Sequence, residues 1–592
     1  MPPEKLFEHL LHCPSQDKWK RVLPKRRAGV LAPLFSLYSK DSAGIGELDD
    51  LKLLIDWCKK TGNSIIQLLP MNEVGPVFCP YDSITSFALE PVYLRVKGVK
   101  AVRPGNNVNY AVKDEKLTKL REVFLREFAQ ERDQVAAFVE ENLYWLPDFT
   151  LFKALKQEFQ GRAWYEWPEE FKNRQRQALA DFMNRHQEQI DFQAWLQYQL
   201  FLKFREVKAC AKANNVLIKG DLPILVSRDS ADVWSHPEYF QLDFAAGAPP
   251  DMYCSKGQRW GMPTYHWEKI AAEGYKYLKE KLKYSQNFYD ILRVDHVVGL
   301  FRIWSIPYGD PLENQGLHGV FDPADEHAWR EHGRNLLQHL VENTDMLLCA
   351  EDLGVIPKAC PEGLWDFGLP GNDVQRWVKD WKVRHDFLTP EEYRFLAVAM
   401  LSTHDTTNWA AWWENEAGTV DEALFICKCE TKDIDFILLK DKLFDPKHSS
   451  RGRLRWLKSI KSPEVLIQLL GKKKEEVNDL VEMYVSTYQE KEKLWKLMKL
   501  KGRLREKCDQ EIIARALKIT LGSRSIFCIE NIFDWIYFTG EISGDPYQYR
   551  VNTPGTVGPQ NWSLALPLSL EELLKHKSNA QIKKMISGAG RI

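Results

Sequence analysis

The chain has 592 residues, 44% of them apolar, with a formal net charge of -1 and a sequence pI of about 6.9. The net charge is too small to attract nucleic acid, and no uncharged apolar run is long enough to span a membrane. We therefore expect neither a nucleic-acid nor a membrane partner. The 11 cysteines include no CxxC pair, and the N-terminus lacks the apolar region of a signal peptide. These features predict reduced thiols in a cytoplasmic protein.

Short apolar runs recur along the chain, separated by helical or loop patterns. After a helical lead-in over residues 1–28, strand, helix and strand follow in turn, with the helix predicted over 48–60. The eight runs predicted as strands are 29–37, 63–70, 216–223, 291–294, 346–349, 367–370, 396–401 and 525–530. The predicted fold class is therefore α/β, a (β/α)8 barrel over residues 29–592.

Two long charged segments interrupt this alternation. Residues 113–213 and 413–507 show helical, charged patterns, and we interpret both as helical insertions between barrel strands. Basic residues in the second segment are interspersed with acids, which is typical of a solvated helical face rather than of a nucleic-acid contact.

Three predicted strands are followed by an acidic residue. Asp295 comes after 291–294, Glu351 after 346–349 and Asp405 after 396–401. Each acid alone is also compatible with a helix cap. In a parallel barrel, however, all the strand ends meet at one rim, which predicts that the three acids are neighbours. Arg293, two residues before Asp295, favours an ionised aspartate at neutral pH.

Such a set of carboxylates suits chemistry on glycosidic bonds. One ionised carboxylate attacks the anomeric carbon, one protonated carboxyl group protonates the leaving oxygen, and a third stabilises the positive sugar ring. A two-metal phosphatase would need more ligands than the sequence offers, and no nucleotide-binding loop occurs. The sequence therefore predicts no metal and no cofactor.

The motifs RVDHVVGL, AEDLG and STHD, in this order, resemble those of the 4-α-glucanotransferase family, which includes amylomaltases and disproportionating enzymes. Further segments similar to the family include GIGELDDL, CPYDSITSFA, GQRWGMPTYHW, FGLPG and NTPGTVGPQNW, so that the resemblance runs from about residue 29 to 567.

The resemblance implies a role for each matching position. It implies that Asp295 is the nucleophile, Glu351 the general acid/base and Asp405 the transition-state stabiliser. The residues implied in orienting Asp295 or binding glucan are Arg293, His296, His404, Tyr81, Trp260 and Asp251. Simple core packing is the alternative for Tyr81 and Trp260, but flanking prolines and glycines favour exposed loops.

The implied function is a retaining transfer of α-1,4-glucan segments from a maltodextrin donor to the 4-hydroxyl of a glucan or glucose acceptor. The expected partners are maltodextrins and other α-1,4-glucans derived from starch or glycogen. An α-glucan hydrolase and a catalytically inactive glucan-binding protein are the alternatives. The sequence departs from the common family pattern at Ala565, where the commoner form has arginine, and in the THDTT segment, which leaves the preferred acceptor open.

Overall fold

Eight short parallel strands form the centre of the molecule, of which a computed structural model describes residues 3–250 and 256–592. The strands are β1 (Arg27–Leu31), β2 (Ile65–Gln67), β3 (Leu217–Leu222), β4 (Ile291–Val294), β5 (Leu347–Ala350), β6 (Gly371–Val374), β7 (Ala397–Met400) and β8 (Phe527–Asn531). They are hydrogen-bonded in the order β5-β4-β3-β2-β1-β8-β7-β6. The sheet curls until β5 meets β6, where Ala350 N–H donates to the Pro370 carbonyl at 2.8 Å. This is the (β/α)8 barrel that the sequence predicts.

The strand sequences are apolar because the barrel is covered on both faces. Every residue of β4 is buried, including Arg293, and so is every residue of β1. The helix Asp50–Thr61 connects β1 to β2 along the chain and buries Leu51, Leu54 and Ile55. It ends where Gly62 adopts a left-handed φ of 87°, a conformation that favours glycine.

Two predicted strands are placed differently in the structure. The first ends at Leu31 rather than at residue 37, and the residues after it form a 3-10 turn, Leu34–Ser36. The run 367–370 contains no strand, because residue 367 is the last residue of a helix, Ala359–Phe367, and Gly368 caps it with a left-handed φ of 71°. The sixth strand begins at Gly371. The apolar run reflects a helix end packed on the core, so the prediction is wrong in position.

The first insertion consists of helices, as predicted. They are Val112–Glu141, Leu146–Glu158, Glu169–Lys172, Arg176–Arg185 and Gln187–Ala213.

The second insertion is only partly helical. Its helices are Glu422–Glu430, Phe436–Leu443, Pro463–Leu470, Asn478–Thr487 and Glu490–Leu497. It also contains a two-stranded antiparallel sheet of Thr419–Asp421 and Arg453–Arg455, which the sequence analysis does not predict. The second of these strands buries Leu454 between two half-exposed arginines, the period-2 pattern of a strand. A separate hydrophobic cluster, including Phe425, Trp456 and Leu480, forms the core of this insertion.

The remaining elements surround the barrel. Helices outside the insertions are Pro3–Leu10, Gln16–Val22, Asp50–Thr61, Ala231–Ser235, Trp267–Ala272, Lys276–Ser285, Trp329–Glu342, Ala359–Phe367, Trp409–Ala411, Gln510–Gly522, Ile532–Thr539, Leu570–Lys575 and Asn579–Gly588. A four-stranded antiparallel sheet contains Phe244–Ala248, Gln258–Arg259, Ile303–Pro307 and Val320–Asp322. Among the described helices, none combines the length and apolar character needed to cross a bilayer.

Candidate active site

The three predicted acids line one cavity of about 2140 Å3 at the barrel mouth. Ala350 lies opposite Val294 in the parallel register of β5 and β4, so the residues that follow, Asp295 and Glu351, leave the sheet side by side. Asp405 reaches the same cavity from the segment after β7. The structure therefore brings together residues more than a hundred positions apart in sequence.

Asp295 sits in a buried network of charges. Nη1 of Arg293 lies 2.7 Å from a carboxylate oxygen of Asp295 and 2.7 Å from both oxygens of Asp221. The hydroxyl of Tyr81 donates to Asp221 at 2.7 Å. Since Asp221 and Arg293 are 3% and 5% exposed, they fix one edge of Asp295, while 24% of its side chain remains open to the cavity.

Glu351 is held by two backbone donors. The N–H of His296 donates to one carboxylate oxygen at 3.0 Å, and the N–H of Leu353 donates to the other at 2.8 Å. His296 adopts a left-handed backbone conformation with φ 44° and ψ 52°. Residues other than glycine adopt this conformation mainly where the surroundings enforce it, and such residues cluster at functional sites. Here the turn at His296 aims an N–H group at Glu351.

Burial sets the protonation of this acidic pair. It raises the pKa of Asp295 to about 6, although Arg293 opposes the shift. It raises the pKa of Glu351 to about 7, with the same arginine opposing and the negative charge of Asp295 adding to the shift. The sequence predicts an ionised Asp295 from its arginine alone; burial outweighs the arginine, yet the ionised form still predominates at pH 7. Because Arg293 contacts the carboxylate of Asp295 directly, Asp295 is the member of the pair that carries the negative charge when only one of them is ionised.

Asp405 has a different environment. Asn552 Nδ2 donates to its carboxylate at 2.7 Å, and His404 Nε2 lies 3.1 Å from the other oxygen, at ion-pair distance but without hydrogen-bond geometry. Burial opposes ionisation, but the charge of His404 and the amide of Asn552 lower the pKa of Asp405 to about 2. The carboxylate is therefore ionised near neutral pH.

Flat side chains line the cavity beside these acids. The rings of Tyr81 and His404 stack at a centroid distance of 5.2 Å, and Trp562 lies 5.7 Å from Tyr81. On the other side, Trp260 meets the ring of His296 edge-on at 4.8 Å. Burial, together with the charge of Arg293, lowers the pKa of His296 to about 4. Its imidazole is thus neutral near pH 7 and can both donate and accept hydrogen bonds.

A family profile for 4-alpha-glucanotransferases, glycoside hydrolase family 77, matches residues 32–569 of the chain. The chain belongs to the 4-alpha-glucanotransferase family. It is therefore a transferase of this type, as the sequence predicts, and the hydrolase alternative is not favoured.

Relatives with this name match most of the chain. A 4-alpha-glucanotransferase of Chlamydia pneumoniae is 30% identical, over 98% of this chain and 99% of its own. A 4-alpha-glucanotransferase of Thermus thermophilus is 32% identical, over 65% of this chain and 79% of its own. The structure of an amylomaltase from Streptococcus agalactiae, solved with acarbose, has a TM-score of 0.70 at 22% identity and covers 96% of this chain and 100% of that one. This last likeness shows the shared fold.

Of the site residues predicted for this 4-alpha-glucanotransferase family member, the structure brings eight to the cavity: Asp295, Glu351, Asp405, Arg293, His296, His404, Tyr81 and Trp260. The ninth, Asp251, lies outside the described residues. Sequence reasoning missed three contributors, namely Asp221, Asn552 and Trp562. Asp221 could have been found, because it too occurs at the end of a barrel strand. Asn552 and Trp562 are the first and last residues of the segment NTPGTVGPQNW, which resembles the family, but the segment alone does not show that they reach Tyr81, His404 or Asp405.

Proposed function

We propose that this chain transfers α-1,4-glucanosyl units from a maltodextrin donor to the 4-hydroxyl of a glucan or glucose acceptor by a retaining double displacement. The observation that carries the proposal is the adjacent buried pair Asp295 and Glu351, in which Arg293 contacts the Asp295 carboxylate and burial raises the pKa of Glu351 to about 7. A glycosidic bond broken with retention requires this combination.

In the first step, a carboxylate oxygen of Asp295 attacks the anomeric carbon of the donor. The bond from that carbon to the leaving 4-oxygen breaks, and Glu351 gives its proton to this oxygen. The products are a covalent ester between glucan and Asp295 and a shortened glucan, with Glu351 left as a carboxylate. Arg293 holds the attacking carboxylate in place through its contact of 2.7 Å.

In the second step, the 4-hydroxyl of an acceptor attacks the same carbon. Glu351 takes the hydroxyl proton, the ester bond breaks, and Asp295 returns to its carboxylate form. Since Glu351 has just lost its proton, it is a base when this step needs one. Two displacements at one carbon retain the α configuration.

Asp405 stabilises the positive charge that develops on the sugar ring in both steps. Its carboxylate is kept ionised by His404 and Asn552, and a fixed negative charge acts strongly on a developing cation once the bound sugar has displaced water from the cavity. The rings of Tyr81, Trp260 and Trp562 give the sugar faces apolar surfaces to pack on. A bound acceptor that occupies this cavity displaces water, which favours transfer over hydrolysis.

The proposal includes maltodextrins derived from starch or glycogen as substrates and a cytoplasmic location. Reduced thiols are typical of that compartment, and all ten cysteines in the described part of the chain are free.

The test is incubation of the pure protein with maltotriose as sole substrate. Transfer yields glucose together with a ladder of longer maltodextrins. Production of glucose and maltose without any longer product would contradict the proposal and identify an α-glucan hydrolase, and no change in the substrate would indicate an inactive glucan-binding protein.

A further inference from the structure

The barrel closes at a junction between β5 and β6, which stand at opposite ends of the hydrogen-bonded strand order. The Ala350 N–H to Pro370 carbonyl hydrogen bond joins the two strands here. Glu351 directly follows β5, so the proposed acid/base sits beside the seam of the barrel. Contacts that hold this seam closed therefore also affect the orientation of Glu351.

Asp352 fastens the end of β5 to the start of β6. Its side chain is buried, and one carboxylate oxygen accepts the N–H of Asn372 at 2.7 Å. The other oxygen lies over Gly371, where an added Cβ would come within 2.4 Å of it. The glycine therefore leaves space for this carboxylate, and no larger residue fits without displacing it.

Arg394, in the loop before β7, ties this carboxylate to the next strand. Its Nη1 donates to Asp352 at 2.5 Å and its Nε to Asp373 at 2.7 Å. Nη2 donates to the Asn372 carbonyl at 2.6 Å, and the Arg394 N–H donates to Asp373 at 3.0 Å. A planar guanidinium can bond several acceptors at fixed angles, which a lysine cannot do.

We propose that Arg394 is a positioning residue for Glu351, which it reaches through Asp352. This inference rests on the proposed role of Glu351 as acid/base. Asp352 lies in the chain between Glu351 and Leu353, whose N–H donates to the Glu351 carboxylate. Anchoring Asp352 across the seam therefore fixes both the backbone that carries Glu351 and one of the two donors that orient it.

Arg394 also balances charge next to Glu351. The charged groups that act on Glu351 are Arg293, Asp295 and Asp352, and the Cys360 thiol faces Glu351 and Asp352 from the helix behind them. Without Arg394, the buried carboxylates of Asp352 and Asp373 lose their shared cation. The additional negative charge favours the protonated form of Glu351.

The test compares two donors in the Arg394→Gln variant. Transfer from maltotriose needs the proton of Glu351, so we expect its kcat to fall about 10- to 100-fold, the effect of a misplaced catalytic group, with KM changed much less. Fluoride leaves without a proton, so the first-turnover release of fluoride from α-maltosyl fluoride should stay within about threefold of the wild-type rate.

Two further variants separate geometry from charge. Arg394→Lys keeps the positive charge but not the planar guanidinium, so this variant should lose transfer activity while the alkaline limb of its pH–rate profile stays in place. In Arg394→Gln, which also lacks the charge, the alkaline limb should move to higher pH. Arg384→Gln is the matched control, because Arg384 lies in the same loop and also pairs with two carboxylates, Asp380 and Glu392, at the exposed surface. It should behave as wild type.

Equal losses with both donors, or no loss with either, would overturn the proposal, because Arg394 would then act on the whole site or on none of it. The side chain of Arg394 is 43% exposed, so its replacement leaves no apolar cavity; should Arg394→Gln still not fold, Arg394→Lys in the same two assays decides. Failure of the underlying function is a separate result: Glu351→Gln would then slow fluoride release as strongly as transfer from maltotriose.

Discussion

Both sides of the barrel mouth carry carboxylates, but the pKa values of these groups are shifted in opposite directions. Burial raises the pKa of Asp295 and Glu351, at the ends of β4 and β5. On the side of β7, the pKa of Asp405 falls to about 2, because His404 and Asn552 outweigh burial there. A position at the rim thus brings a carboxylate to the site, but its partners decide what it can do.

The difference follows from how many favourable partners each carboxylate has. Asp295 shares one arginine with Asp221, so the arginine serves two negative charges at once. Asp405 has His404 at 3.1 Å and accepts a hydrogen bond from the Asn552 amide, and 43% of its side chain is open to the cavity. The first side is suited to exchanging protons and forming bonds, and the second to holding a permanent charge.

Replacing Asp295 with asparagine should have the largest effect. The amide keeps the shape but cannot attack the anomeric carbon, so we expect kcat for transfer from maltotriose to fall at least about 10^4-fold, as for the removal of other enzymatic nucleophiles. Product ladders followed over days measure the loss. A variant that retains full activity would show that another group is the nucleophile.

Replacing Glu351 with glutamine should lower kcat on maltotriose about 10^2- to 10^4-fold, the usual contribution of a general acid/base. The loss should depend on the leaving group. With α-maltosyl fluoride, first-turnover fluoride release should be close to the wild-type rate, since no proton is needed. A variant equally slow with both donors would argue against the acid role.

Part of this site could be predicted from the sequence. The predicted strand 291–294 matches β4 residue for residue, a short apolar run that ends directly before the polar pair Asp295 and His296. The rule that parallel strand ends converge then places Glu351 near Asp295 without any coordinates.

The remaining features depend on long-range packing. Asn552 reaches Asp405 from a loop 147 residues later in the chain, and no local pattern encodes that contact. The raised pKa of Asp295 could not be predicted either, since the sequence shows the nearby arginine but not the depth of burial. The misplaced sixth strand has the same origin, because the run 367–370 is equally apolar in a helix end or in a strand.

Replacing Asp405 with asparagine should have a smaller effect than either change on the opposite side. It removes a charge that acts on the transition state without forming or breaking a bond, so we expect kcat to fall about 10^2- to 10^3-fold. Fluoride release and transfer from maltotriose should fall together, because the sugar cation develops with both donors. A loss restricted to maltotriose would assign Asp405 to proton transfer instead.

The smallest expected effect concerns the pH dependence of kcat/KM. Asp295 must be ionised and Glu351 protonated, so kcat/KM for maltotriose should fall below about pH 6 and above about pH 7, giving a narrow bell, whereas Asp405 contributes no limb. Burial is the main cause of the raised pKa of Asp295, and the charge of Asp405 adds to it. Asp405→Asn should therefore move the acid limb to lower pH. An acid limb that moves to higher pH would mean that the two sides of the mouth are not coupled in this way.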